Sequence, residues 1–140
     1  MTINEIQDEI IEEFSVFDDW MDKYEYIIEF AKGLPTIDVN KKTPQNLING
    51  CQSKVWLDAE LTDGKLSFTA DSDAIITKGV VALLVRIFNE QPAKDILNSD
   101  LYFIEKIGLS QNLSPTRANG LLSMIKRIKS YALAFNSLEK

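Results

Sequence analysis

The stretch VWLDAELTDGKLSFTADS, residues 55–72, decides the fold. Val55, Leu57, Ala59 and Leu61 alternate with Trp56, Asp58 and Glu60, the period of a strand with one apolar face. Asp63-Gly64 is a two-residue hairpin loop, and Leu66, Phe68 and Ala70 alternate on the return. With those two residues as the loop, Val55 pairs with Ser72.

Downstream, IITKGVVALLVRIF is apolar nearly all round and reads as a central buried helix, with Ser72 expected as its cap. Gly79 inside it is unfavourable by about 1 kcal/mol against alanine, which implies a close packing contact. Pro92 opens a short helix, residues 101–107 form another, and Ser114-Pro115 is an N-cap followed by proline at the first helical position. The last helix carries Leu121, Ile125, Ile128, Ala132 and Phe135 on one face.

Upstream, Thr2 with Glu5 is a capping-box pattern ahead of Ile3, Ile6, Ile10 and Phe14. Ser15 with Asp18 is expected to open a second helix, with Phe17, Trp20, Tyr24, Ile27, Ile28 and Ala31 as its apolar stripe, stopped by Gly33 and Pro35. Residues 36–43 read as loop and residues 46–49 as a short strand. The expected order is therefore α-α-β-β-β-α-α-α. It makes one α+β domain over residues 1–140, a small antiparallel three-stranded sheet packed against several helices.

Composition bounds the function. A chain of 140 residues, 45% hydrophobic and 26% charged, can bury roughly 68% of its unfolded surface and build a core. No apolar run approaches the ~20 residues of a membrane helix. The acidic start MTINEIQDEIIEEF has no basic n-region, so no signal peptide is expected. Net charge is −6, unevenly spread: ten acids in residues 1–30 face only Lys23, whereas Arg117, Lys126, Arg127, Lys129 and Lys140 face only Glu139 in residues 115–140. An acidic chain disfavours binding to phosphate backbones, so no nucleic-acid partner is expected and the basic tail helix reads as a solvated face.

There is one cysteine, Cys51, and no histidine. One cysteine gives no disulfide framework, which fits a reducing cytoplasm. The missing histidine excludes Cys-His and Ser-His-Asp hydrolysis in their usual forms and every histidine-ligated metal site. An iron–sulfur cluster normally needs several cysteines. The isolated Gly79, Gly108 and Gly120 make neither a P-loop nor a dinucleotide fingerprint. Asp71 and Asp73 read as strand end and helix start rather than a cation site, so neither cofactor nor metal is expected.

The hairpin register carries Cys51 just beyond the paired residues, close to the start of the long helix. The partial positive charge of a helix N-terminus favours a thiolate, whereas burial in apolar surroundings favours the thiol. From the residues alone a reactive Cys51 and a half-buried inert one both stand. The chemistry left open is a thiol that accepts and releases a group by attack at sulfur.

The strings NLINGCQSKVWL, DSDAIITKGVVALL and LSPTRANGLLSMIKRI resemble the SufE family of sulfur acceptors, and DKYEYIIEFAKGLP and GLSQNLSPTR extend the likeness along nearly the whole chain. The resemblance implies a fold shared with iron–sulfur scaffold proteins of the IscU type. It also implies a SufS-like, pyridoxal-phosphate-dependent cysteine desulfurase as partner and a SufBCD-like scaffold as sulfur recipient. Cys51 would take sulfur from the desulfurase persulfide, shelter it in an apolar cavity, and pass it on. Gln52 and Ser53 would shape its loop. Asp73 is expected in the first turn of the long helix. Arg117, a cation where the helix dipole disfavours one, is expected to pair with a carboxylate, Asp73 or Glu105. Trp56 reads as a packing residue. A stand-alone thiol sulfurtransferase and a noncatalytic binding module are the alternatives.

Overall fold

The computed structural model describes residues 1–50 and 53–138. Its first helix, α1 (Ile3–Phe14), opens with the expected capping box: Thr2 Oγ1 accepts from Glu5 N–H at 3.1 Å, and Glu5 Oε1 accepts from Thr2 N–H at 2.9 Å. Ser15 closes α1 rather than opening the next helix, because its hydroxyl donates to the Glu12 carbonyl. The start of α2 (Trp20–Phe30) is instead capped by Asp19, whose carboxylate accepts from Asp22 N–H. A 3₁₀ turn, Ala31–Gly33, ends it.

Strands β1 (Val55–Thr62) and β2 (Lys65–Ser72) pair antiparallel in the expected register, from Val55↔Ser72 to Thr62↔Lys65. Asp63 and Gly64 both take positive φ, the conformation a tight hairpin loop of this hand requires. The third strand, β3, is not residues 46–49 but Gln91–Pro92, which follows the long helix and pairs with Lys65 and Leu66. Residues 46–49 contribute a single bridge, Leu47↔Trp56, along the outer edge of β1. The sheet order is β1-β2-β3 and the fold is α+β.

One sheet face, with Val55, Leu57, Leu66, Phe68 and Ala70 buried, lies against α3 (Ile75–Phe88). Ten residues of α3 are buried, which explains why its sequence shows no polar face. The packing implied by Gly79 is there: a Cβ at this position would collide with the Ile27 carbonyl of α2. Beyond β3 come α4 (Ala93–Leu97), α5 (Phe103–Lys106), α6 (Leu109–Asn112) and the long α7 (Pro115–Leu138). The helix expected over residues 101–107 is thus a short turn, and a further short helix, α6, follows it. Gly108, at φ 82°, separates the two. Helix α7 buries Leu121, Met124, Ile128 and Ala132 against α3 and α4. Among the described residues no helix is long and apolar enough to cross a membrane.

Candidate functional site

The hairpin's open end and the start of α3 meet at one residue pair. Lys54 N–H donates to Asp73 Oδ1 at 3.0 Å, and Asp73 N–H donates to the Lys54 carbonyl at 3.2 Å. Asp73 therefore precedes the helix instead of lying in its first turn, and Ala74 is the N-cap. The reason is competition: β2 pairing runs on to Ser72, and the Asp73 carboxylate bonds an amide of the opposite strand. Ala74 has no side chain to cap α3, and Ser72 Oγ reaches only the Ala74 N–H, at 3.3 Å. Among the described residues α3 thus has no side-chain N-cap bond.

Cys51 and Gln52 lie outside the described residues; their flanks do not. Gly50 has φ 92°, a conformation glycine adopts without penalty, and it seats against α7 so closely that a Cβ there would fall 2.5 Å from Ser123 Oγ. On the other side, Ser53 lines a cavity of about 60 Å³ between α3 and α7. Ile76, Val80 and Met124 supply apolar wall, and Ser53, Thr77 and Thr116 bring hydroxyls to it. This volume accommodates a side-chain tip or a few waters.

Arg117 also lines this cavity and is exposed. Its backbone N–H is capped by Ser114 Oγ at 3.3 Å, as the Ser-Pro pattern implies. The expected carboxylate partner is absent: among the described residues Arg117 forms no ion pair. Asp73 is engaged by Lys54, and Glu105 sits exposed on α5 and lines no part of the cavity. Asp71 is held between Lys42 at 2.6 Å and Lys78 at 3.4 Å. Burial pushes the Asp71 carboxyl up, but the bonds from Lys42, the Ser72 N–H and Lys78 together bring it below its ordinary range. Trp56 is half-buried, with the Lys42 ammonium 5.0 Å from its ring centre.

Sequence reasoning missed a second set of contacts. The basic tail helix is not simply solvated: Arg127 donates to the Gln45 and Leu47 carbonyls at 3.0 Å each, and Lys129 donates to the Ser99 carbonyl at 3.0 Å. Tyr131 hydroxyl reaches Asn46 Oδ1 at 3.1 Å and the Leu57 carbonyl at 3.0 Å. The available signal was the spacing of Ser123, Arg127 and Tyr131, four residues apart, which places polar groups on one stripe beside the apolar one.

A hairpin sheet, a central apolar helix and a cavity where the hairpin end meets two helices define an α+β protein with a site at the rim of its sheet. The solution structure of a hypothetical protein from Thermus thermophilus has this fold, with a TM-score of 0.76 over 92% of this chain and 94% of that one, at 18% identity. Residues 8–132 match the SufE family, described as the Fe-S metabolism associated domain, and the chain belongs to that family. Uncharacterized SufE-like proteins of Rhizobium etli and Rhizobium meliloti are 44% and 45% identical to it over 130 residues. The alignments cover 89% of this chain and 88% and 93% of those proteins. Its association is with iron–sulfur metabolism, as the sequence resemblance implies.

Proposed function

We propose that this protein is a sulfur acceptor for iron–sulfur cluster assembly, with Cys51 as the sulfur-carrying residue. The observation that supports this best is the flanking geometry: Gly50 seated on α7, Lys54 locked to Asp73, and a small cavity of mixed polar and apolar lining beside Ser53. In the proposed reaction the Cys51 thiolate attacks the terminal sulfur of a persulfide on a SufS-like cysteine desulfurase. The S–S bond of that persulfide breaks, the desulfurase cysteine leaves as thiolate, and Cys51 becomes the persulfide. A SufBCD-like scaffold takes the sulfur by a second attack of the same kind.

No net oxidation occurs in either step, so no redox cofactor is called for. Attack needs a thiolate and a good leaving thiolate, not a hydrolytic base, which agrees with a chain lacking histidine. Two features favour the anion: the first turn of α3, which has no side-chain N-cap among the described residues, and the Arg117 guanidinium at the cavity. Gln52 and Ser53 are assigned to loop shape, and Asp73 to holding the loop's far arm at Lys54.

The test is incubation with a cysteine desulfurase and free cysteine, followed by intact-mass measurement. Gain of one reductant-labile sulfur atom, dependent on the desulfurase, is expected, and Cys51→Ser should stay folded and gain none. Sulfur acquired from thiosulfate alone would instead indicate a stand-alone sulfurtransferase. No modification would leave a binding module.

A further inference from the structure

Helix α7 presents Ser123, Arg127 and Tyr131 in one stripe to the chain that leads into Cys51. Successive residues of that chain face alternate directions. The Asn46 carbonyl accepts from Leu57 N–H at 2.9 Å and the Ile48 N–H donates to the Val55 carbonyl at 2.8 Å, so these groups face β1. The Gln45 and Leu47 carbonyls face the other way and are both taken by Arg127. Residues 45–48 are therefore laid between a strand and a helix, and Ile48 among them is buried. One turn back toward the start of α7, Ser123 meets Gly50.

We infer that the Ser123–Arg127–Tyr131 stripe is a seat that sets where Cys51 stands relative to the cavity, with Arg127 as its positioning residue. The choice of partner supports this. In a chain with 21 acidic residues, Arg127 forms no ion pair among the described residues and directs its guanidinium to two backbone carbonyls. A planar fork of donors can bond two carbonyls of alternate residues at once; a lysine ammonium lacks that fixed geometry. Such bonds fix the register of an irregular segment that contributes only one bridge to the sheet. Ser123 then acts as a stop, its hydroxyl held by the Asn119 carbonyl at 3.1 Å while Gly50 turns against it.

The role in sulfur transfer rests on the acceptor reading above; the role in seating the chain does not. The experiment measures iodoacetamide labelling of Cys51 in folded protein, normalised to the same variant unfolded, and sulfur uptake at varied desulfurase concentration. Arg127→Ala should label about tenfold faster than wild type. It should also lose maximal uptake rate about fivefold with little change in half-saturating desulfurase concentration, because the thiol is freed but misplaced. Arg127→Lys should remain near the alanine variant. Tyr131→Phe, which removes only the hydroxyl, should label about threefold faster. Lys126→Ala, on the exposed side of α7, should match wild type.

Equal normalised labelling for Arg127→Ala and Lys126→Ala would overturn the inference. If Arg127→Ala does not fold, Tyr131→Phe decides: labelling at the wild-type rate would overturn it in the same way. Failure of wild-type protein to acquire sulfur would sink the acceptor reading and leave the labelling comparison standing.

Discussion

Helix α3 has two kinds of neighbour. Toward α1 and α2 its contacts are tight and its charges matched. Gly79 touches the Ile27 backbone, and Arg86 bonds Glu13 at 2.6 and 3.0 Å and Glu9 at 2.7 Å while lying over the Phe30 ring. Phe14, Phe17, Tyr26 and Phe30 form an aromatic cluster beside it. Toward α7 and the residues flanking Cys51 the same helix borders a cavity. There, among the described residues, its N-cap has no side-chain bond and Arg117 has no carboxylate partner, and Ile75 is 62% exposed. The contrast runs along one helix. Toward α1 and α2 it is closed by backbone contact and paired charges, with an open surface groove beside Arg86. Toward α7 it borders groups that have no ion-pair or cap partner among the described residues.

The comparison can be broken most severely at Gly79. Alanine there should destabilise the protein by about 3 kcal/mol despite its better helix propensity, because its Cβ meets backbone that cannot turn aside. The check is the urea unfolding midpoint. An unchanged midpoint would mean that α2 and α3 separate freely and that the closed side is not closed.

Arg86→Met comes next. At neutral pH it should cost about 1–2 kcal/mol by leaving Glu9 and Glu13 without their cation. The bond from Arg86 holds the Glu13 carboxyl below its ordinary range. A depressed carboxyl contributes stability fully above its unfolded pKa and loses it as pH falls through the folded value. The gap between wild type and Arg86→Met should therefore narrow in acid, below the ordinary glutamate pKa, in melts taken across that range. Tyr26, pushed up to about 12 by burial and by the Glu13 carboxylate, stays a neutral donor throughout. Sulfur uptake by this variant, measured well below its melting temperature, should equal wild type.

Arg117→Ala sharpens the contrast from the open side. Its stability should shift by less than about 0.5 kcal/mol, since the side chain is exposed and makes no ion pair among the described residues. Sulfur uptake should nonetheless fall several-fold. Equal uptake would remove Arg117 from the proposed mechanism and leave the cavity as simple imperfect packing.

Much of the closed side was legible in the sequence, and the reasons are local. Asp63-Gly64 sets a two-residue loop, and with it every pair from Val55↔Ser72 inward. Gly79 in an apolar helix pointed to a backbone contact that exists. The misses fall where tertiary bonds override local preference. The strand Gln91–Pro92 is too short to show a period and contains a proline. The Ser15/Asp18 pattern lost to Asp19 because Ser15 was already closing α1. Asp73 left the helix for an amide across the hairpin. Around the site, the sequence pointed to Cys51 and its neighbours but not to Arg127, because a charge directed at backbone carbonyls leaves no carboxylate in the pattern to betray it.

The Lys54–Asp73 exchange has a mechanical consequence. A partner that draws on the segment after Gly50 loads this pair first, then the end of β1. There the load meets β pairing that resists slippage, since a one-residue slip would turn Val55, Leu57 and Ala59 out of the core together. The chain between Gly50 and Lys54, fully extended, spans at most about 14 Å. Its tip can therefore stand only about half that distance from the body while both ends hold. Under the proposed function, a sulfur donor or recipient must bring its own reactive atom in close, with the hairpin as the tether that sets how far the two can be apart.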